Sequence, residues 1–221
     1  MVGETELKEL VKKARQGYEK HNFDQSVDLT IILKDIDVKK GFSFNEVVQL
    51  PNSPGKTSTV CVVASGEMGS RAKKALADKV MEPDELDRLG TNKKEAKKVA
   101  KTYDFFLSDT ALMSTVGKSL GQYLGPKGKM PTPMPYGAPI DNILNKFRSS
   151  VRVRVRNQLN ISTKIGDEKM EDKHLIENAN IVLSAIEKKL PQGDKNIRNM
   201  LIKFTMSRPA EMLTSISKKK M

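Results

Sequence analysis

The chain of 221 residues has no tryptophan, one cysteine, two histidines and no long apolar run. A single cysteine excludes an internal disulfide framework, and two histidines with one cysteine cannot form an ordinary structural zinc site. No apolar stretch approaches the roughly 18 residues of a membrane-spanning helix, and the N-terminus lacks the apolar stretch of a signal peptide. We therefore expect a soluble protein of a reducing compartment, with no metal, cofactor or membrane partner.

Positive charge is in excess. Lys and Arg number 39 and Asp and Glu 27, which gives a formal net charge of +12. Apolar residues make up 38%, below the ~45–50% of typical globular domains, yet the run at residues 60–64 requires a buried core. A polyanionic partner is the most economical explanation of the charge, although a merely soluble basic protein would have the same composition.

The two ends of the chain share strands with one apolar and one polar face. Apolar residues recur at three- and four-residue steps over 7–18, which predicts an amphipathic helix. They alternate with mostly polar residues over 26–33 and again over 151–156, which predicts half-buried strands. Further strands are expected over 160–166 and 200–205, with a helix between them that Asp172 can cap.

The middle of the chain has a different pattern. Residues 59–64 are a continuous apolar run, typical of a strand covered on both faces, and residues 103–107 are a second buried-looking strand. Helical patterns follow each of them. This order favours a parallel sheet with helices on its faces. We predict an α/β protein: an α+β outer domain of split β-α topology, residues 1–66 and 151–221, with an inserted three-layer, Rossmann-like α/β domain over 67–150.

Nucleotide binding by the central domain has little support. Residues 66–70 follow a strand and precede a helix, but their two glycines do not have dinucleotide-binding spacing. Residues 125–129 resemble a phosphate loop that lacks its first glycine and its final Ser or Thr. Asp104 and Asp109 bracket the end of a strand without a histidine or metal cluster, so capping explains them better than catalysis. A nucleotide-dependent enzyme is the alternative to a binding protein.

Polar strand faces and one loop are candidate RNA contacts. Hydroxyls on a strand can bond phosphates or ribose 2′-hydroxyls, and an aromatic ring can pack on a sugar or base. A proline-rich loop over 124–135 adds two lysines in an exposed, basic segment, although a connector would have the same composition. The candidates are Phe23, Ser26, Asp28, Thr30, Thr163, Lys164, Thr205, Met206, Ser207 and Arg208, with Lys127 and Lys129 as a second-domain RNA loop.

Three segments occur together and in order: Phe-Asp-Gln-Ser-Val-Asp-Leu at 23–29, the loop at 124–133, and Phe-Thr-Met-Ser-Arg-Pro at 204–209. In this combination the chain resembles the large-subunit ribosomal protein L-one family, in its archaeal branch, over nearly its whole length. The resemblance implies two domains, the second inserted into the first, and no enzymatic activity. RNA contacts of the family map here onto Phe23, Ser26, Thr205 and Met206.

The resemblance also implies partners and a place in the cell. It implies that the outer domain binds large-subunit ribosomal RNA to form the mobile lateral stalk near the tRNA exit site, on the cytoplasmic ribosome. Exit-site tRNA and the protein's own mRNA, whose translation it represses, are further implied partners of a chain that is monomeric when free. The family pattern Thr-Met-Gly stands here as Thr205-Met206-Ser207, a departure, so Ser207 must either point away from the RNA or make its own contact. An RNA-binding paralogue acting in ribosome assembly would have the same sequence features.

Overall fold

The computed structural model describes residues 4–37, 42–155 and 158–213, which form seven α-helices and ten β-strands. Contacts divide the chain into two units. The outer unit comprises the residues before Thr57 together with those after Arg148, and the central unit is Thr57–Arg148. No helix in the described ranges is long and apolar enough to cross a membrane.

The outer unit is an antiparallel sheet with two helices on one face. The sheet has the order β10-β9-β1-β8, and β2 pairs with β7 in a separate ribbon. Helices α1 and α7 pack on each other and cover the apolar side. The elements are α1 (Glu4–Gln16), β1 (Ser26–Leu33), β2 (Phe44–Gln49), β7 (Ser150–Val155), β8 (Asn160–Asp167), α7 (Asp172–Glu187), β9 (Ile197–Phe204) and β10 (Ala210–Leu213).

Alternation along β1 determines which face of the sheet is buried. Val27, Leu29 and Ile31 are fully buried beneath the helices, whereas the residues between them are half-buried on the opposite face. The strand pairs with β8 on one side and β9 on the other, so its polar side chains lie at the centre of the sheet. The predicted half-buried strand is therefore confirmed, and its polar face has no helix layer in the described structure.

The central unit has three layers around a parallel sheet of order β4-β3-β5-β6. Helices α2 and α6 share one core with the sheet, and α3, α4 and α5 share the other. Both faces are covered, which explains the continuous apolar runs in β3 and β5. The elements are β3 (Val60–Val63), α2 (Gly66–Lys74), β4 (Lys79–Met81), α3 (Pro83–Thr91), α4 (Lys93–Thr102), β5 (Phe105–Asp109), α5 (Met113–Lys127), β6 (Thr132–Met134) and α6 (Ile140–Arg148).

The predicted loop over 124–135 differs from the structure. Helix α5 continues through Pro126 to Lys127, where Gly128 ends it with a left-handed φ of 68°. Residues Thr132–Met134 then form β6 at the edge of the sheet, a position that tolerates Pro133. The segment is thus a helix end and an edge strand joined by a short connection, and the prediction of a loop over the whole of this range is wrong.

The division by contacts lies earlier in the chain than the predicted boundary at residue 66. Strand β3 pairs with β4 and β5 and so belongs to the central unit. The return crossing precedes β7, whose Ser150 pairs with Gln49 of β2. That each unit folds as a separate domain stays a prediction, which is tested below with a protein that lacks the central unit.

Candidate nucleic-acid interface

The uncovered face of the outer sheet places polar side chains from three strands side by side. Lys164 of β8 and Lys203 of β9 lie opposite Asp28 on its two sides. One row further, Thr30 donates a hydrogen bond from its hydroxyl to Ser162 Oγ at 3.2 Å. We call this surface, comprising Asp28, Thr30, Ser162, Lys164 and Lys203, the sheet surface. It combines hydroxyls and lysine ammonium groups, which suit ribose and phosphate.

Asp28 is the acidic group at the centre of the sheet surface. Burial raises the pKa of its carboxyl group, and the charges of Lys203 and Lys164 oppose that rise. Lys164 also forms an ion pair with Asp167, with Nζ 2.6 Å from Oδ1, so the charge of this lysine is shared between two carboxylates. The carboxylate is therefore held where ionisation is unfavourable.

Replacing Asp28 by asparagine is expected to raise the free energy of unfolding at neutral pH. A folded-state pKa above the unfolded value contributes stability below the unfolded pKa, and that contribution is lost as the pH rises through the folded pKa. Urea denaturation should therefore show a gain for Asp28→Asn at pH 7 that shrinks towards pH 3. A difference between the two proteins that is the same at both pH values would contradict the account.

The predicted RNA contacts on β1 and β8 do not all lie on the same face of the sheet. Thr30 and Lys164 lie on the sheet surface, but Thr163 pairs with Leu29 and is buried on the opposite, helix-covered face. The assignment of Thr163 to the RNA-facing set is therefore wrong. Ser162, its neighbour in sequence, occupies the place on the polar face instead. Period-two alternation along β8 is the signal that separates them.

The turn that follows β9 presents two of its residues to solvent. Ser207 donates its backbone N–H to the Phe204 carbonyl at 3.1 Å, which closes the turn. Thr205 and Met206 are exposed at its tip, and the Met206 side chain is 62% exposed. Arg208 follows, also exposed. An exposed methionine beside a hydroxyl and a guanidinium is a surface with apolar, hydrogen-bonding and charged contacts within four residues.

Ser207 does not belong to that exposed set. Its side chain is buried, and its hydroxyl has no hydrogen-bond partner among the described residues. Its φ is not positive, so the backbone here does not require glycine. Of the two alternatives for Ser207, pointing away from the RNA or making its own contact, the structure supports the first: the serine in place of the family's glycine points into the protein.

The turn is joined to the start of β1. Thr205 Oγ1 accepts the backbone N–H of Ser26 at 3.1 Å, and Thr205 donates its own N–H to the Ser26 carbonyl at the same distance. Ser26 is therefore bound through its backbone, beside the tip of the turn. The structure thus brings Ser26, Thr205 and Met206 together, although 178 residues or more separate Ser26 from the other two in sequence.

Gln25 is a residue of this site that sequence reasoning missed. Its side chain is fully buried, with Nε2 donating to the Glu19 carbonyl at 2.6 Å and Oε1 accepting the Met206 N–H at 3.0 Å. The backbone N–H of Gln25 donates to Glu168 Oε2 at 3.0 Å. One buried amide thereby fixes the position of the exposed turn relative to β1. A polar residue directly before a strand gives no sequence signal for such a role.

Phe23 lies just before this junction and is 49% exposed. His21 stacks on its ring, with centroids 5.7 Å apart and planes inclined by 21°. His21 lies in the loop that follows α1, and its Nε2 is buried with no partner in the described structure. The histidine supports the ring of Phe23, which remains available for stacking or packing against a ligand.

The predicted lysine pair of the central unit does not form one surface. Lys127 is exposed at the end of α5. Lys129 instead donates Nζ to the Tyr103 carbonyl at 2.6 Å and lies 3.8 Å from Asp104 Oδ1. Its side chain is only 19% exposed, because it joins the segment after α5 to the end of α4. The prediction of Lys129 as a free RNA contact is therefore wrong.

The two aspartates of the central unit that the sequence offered as catalytic candidates, Asp104 and Asp109, do not form a catalytic group. Asp104 accepts hydrogen bonds from Thr59, and Asp109 accepts the Ala111 N–H at the start of a 3-10 turn, as capping predicts. Burial raises the pKa of Cys61 to about 12, so its thiol is not ionised at neutral pH. In the described residues no three His, Cys, Asp or Glu side chains form a group that could hold a metal ion.

Comparison with known proteins extends the similarity over both units. The model of the "Ribosomal protein L1p/L10e family" matches residues 2–208. Three relatives are each named "Large ribosomal subunit protein uL1". The one from Cenarchaeum symbiosum (strain A) is 55% identical over 206 residues, 93% of this chain and 95% of the relative. The one from Thermofilum pendens is 44% identical over 222 residues (99% and 98%), and that from Methanothermobacter thermautotrophicus 44% over 202 residues (91% and 95%).

Proposed function

The chain belongs to the ribosomal protein L1p/L10e family, and from that membership we propose that it is a constituent of the large ribosomal subunit that binds ribosomal RNA through its outer unit. A protein of this family is a structural component of the ribosome and not an enzyme. Its place is the cytoplasmic ribosome. The nucleotide-dependent enzyme considered from sequence is thereby excluded.

The observation that carries this proposal is the uncovered sheet surface and the exposed turn beside it. Hydroxyls and lysines line one face of β1, β8 and β9, and Thr205, Met206 and Arg208 extend the same unit into solvent. Lysine and arginine attract phosphates without regard to sequence, while hydroxyls and an apolar tip recognise a folded RNA by shape and 2′-hydroxyls. A strand face of this composition next to an anchored turn fits folded RNA better than a protein partner.

We further propose the finer roles that the family resemblance implies. The RNA is the segment of large-subunit ribosomal RNA that forms the mobile lateral stalk near the tRNA exit site. The protein's own mRNA binds the same surface when it folds alike, which represses translation, and exit-site tRNA is a partner in the assembled ribosome. Two chain crossings connect the units, an arrangement that permits a hinge in a mobile stalk.

Binding to defined transcripts tests the proposal. The full chain should bind a transcript of the stalk segment at least a hundredfold more tightly than a transcript of equal length from elsewhere in large-subunit RNA. The leader of its own mRNA should compete with the stalk transcript for one site. Equal affinity for the two ribosomal transcripts would contradict specific recognition, and failure of the leader alone to compete would remove only the repressor role.

A protein that lacks the central unit, with residues 1–56 joined to residues 149–221, should retain RNA binding. The two crossings leave the outer unit at adjacent points, since Leu50 donates its N–H to the Ser149 carbonyl at 3.0 Å. Joining Lys56 to Ser149 through a short Gly-Ser linker therefore removes the central unit without stretching the outer one. We expect the stalk transcript to bind within about tenfold of the full chain, since Phe23, Ser26, Thr205 and Met206 all remain. A folded protein that binds more than a hundredfold more weakly would show that the outer unit does not suffice.

A further inference from the structure

Helix α4 of the central unit has an unusual concentration of lysine. It carries five lysines and one acidic residue in ten positions, and every one of these side chains is exposed. At 3.6 residues per turn, the five lysines fall within a sector of about 140° and extend over about 12 Å of helix. We call this the α4 lysine face: Lys93, Lys94, Lys97, Lys98 and Lys101.

None of these lysines has an ion-pair partner among the described residues. Three other cations of the same unit form ion pairs: Arg71 with Glu67 at 2.6 Å, Lys73 with Glu82 at 2.9 Å and Lys79 with Glu85 at 2.8 Å. The α4 lysines are moreover placed at intervals of three and four residues, where like charges repel and destabilise a helix. The sequence therefore maintains an unneutralised charge here against the stability of its own helix.

The helix is held so that this face points away from the unit. Ala96 and Ala100 are fully buried against the core that α4 shares with α3 and α5. The side chain of Asn92 caps the first turn by accepting the N–H groups of Lys94 and Glu95. Glu95 lies on another side of the helix, at a cavity whose charged lining is both acidic and basic: Glu82, Asp84, Glu85, Lys73 and Arg88. The one acidic group of α4 thus lies apart from its five lysines.

This one helix accounts for most of the unit's excess charge. The central unit has 15 basic and 10 acidic side chains, a net charge of +5, and α4 contributes +4 of it. The remainder of the unit is nearly neutral. Positive charge is therefore presented as a compact, fixed patch, which concentrates the attraction for a polyanion.

We propose that the α4 lysine face is a second RNA-contact surface, which binds the phosphate backbone of double-stranded RNA without reading its sequence. Lysine is a flexible point charge suited to phosphate. No aromatic side chain lies on α4, so the face lacks the stacking groups that bind single strands and the aromatic anchors of a protein docking site. The surface is in the central unit, and its role does not depend on that proposed for the outer sheet.

The test compares two full-length variants that lose the same charge. One has glutamine at all five positions of the α4 lysine face. Its control has glutamine at five exposed lysines in or at the end of the outer unit's two helices: Lys8, Lys12, Lys13, Lys173 and Lys188. The probe is a short RNA duplex of arbitrary sequence, with polyglutamate as a protein-like polyanion. Affinities are measured over a series of salt concentrations.

At low salt, the α4 variant should bind the duplex about tenfold more weakly than the parent, or weaker still. The slope of log affinity against log salt concentration should be shallower by about three to four, since each phosphate contact contributes nearly one to that slope. The control variant should change either quantity much less. Equal effects in the two variants would overturn the proposal, because net charge alone would then explain binding. Polyglutamate that binds as tightly as the duplex and depends equally on α4 would overturn it in favour of an acidic protein partner.

Stability provides a second, independent readout. Glutamine keeps a good helix propensity and removes repulsion between lysines, so the α4 variant should melt at the same or a higher temperature than the parent while binding duplex less well. Should that variant fail to fold, protection of the α4 lysines from acetylation in the parent chain decides: protection by duplex supports the proposal, and full modification at saturating duplex overturns it.

Discussion

Replacing Thr205 by alanine is expected to lower the affinity for the stalk transcript by about five- to 150-fold. The Thr205 hydroxyl is exposed and accepts the Ser26 N–H at 3.1 Å, while its contact with the Ser26 carbonyl is long, at 3.4 Å. Its hydrogen is therefore available to a phosphate or ribose oxygen. Removing one partner of such a hydrogen bond in a dry interface costs about 1–3 kcal/mol, which corresponds to that range of affinity.

The chain itself offers matched controls for this result. Ser207→Ala removes a hydroxyl two residues away that is buried and has no described partner, so RNA affinity should not change. Met206→Ala should weaken binding by about five- to 30-fold, because a truncated methionine loses about 1–2 kcal/mol of apolar burial. Met130 is 47% exposed in the central unit, and Met130→Ala should have no effect on the stalk transcript. Equal effects for Thr205→Ala and Ser207→Ala, with circular dichroism showing both folded, would contradict the assignment.

Replacing Gln25 by alanine is expected to lower both the free energy of unfolding and the RNA affinity. The change leaves the Glu19 carbonyl and the Met206 N–H without their partner and opens a cavity, which together cost about 2–4 kcal/mol of stability. The backbone at Met206 also loses its anchor, so the turn must be ordered when RNA binds. We expect about a tenfold weaker affinity in samples shown to be folded, with an unchanged salt slope because no phosphate contact is removed.

Asn178 is the control for a purely structural effect. It is another fully buried amide of the outer unit, and its Nδ2 donates to the carbonyls of Asn52 and Ile165 at 2.9 and 2.7 Å. Asn178→Ala should destabilise the protein by a comparable amount in urea denaturation and leave RNA affinity as it is. If Gln25→Ala and Asn178→Ala lower RNA affinity equally, Gln25 acts through stability alone and does not position the turn.

Hydrophobic periodicity was sufficient to predict many of the elements that form the hydrophobic cores. The alternation over 26–33 and the continuous run at 60–63 each reflect how many faces of a strand are covered, which is a property of the side chains themselves. Short elements carry no such pattern. Strand β4 has three residues, and α3 has only two buried side chains, so neither element has an apolar pattern long enough to predict it from the sequence.

The site was predictable in part. Ser26 and Thr205 were both candidates from sequence, but their mutual hydrogen bonds depend on a register between β1 and β9 that no local pattern specifies. Thr163 was misassigned because the polar composition of the strand outweighed its alternation, which places Ser162 and Lys164 on one face and Thr163 on the other. Lys129 was misassigned because a lysine bound to a backbone carbonyl is indistinguishable in sequence from a free one.

The role of Gln25 could not be predicted by any of these means. Its side chain bonds one residue six positions before it and another 181 positions after it, so the role exists only when the chain is folded. The α4 lysine face illustrates the opposite case. Its spacing is visible in the sequence, but the absence of ion-pair partners in the described residues and the buried alanines behind it required the structure.

Ultraviolet crosslinking in cells, with identification of both the linked peptide and the linked RNA, tests the central claim most directly. The account predicts crosslinks from the peptides containing Phe23 and Met206 to the stalk segment of large-subunit ribosomal RNA. Both peptides lie on the outer unit beside the sheet surface. Crosslinks to that RNA from other outer-unit peptides only, or from these two peptides to unrelated RNA only, would contradict it.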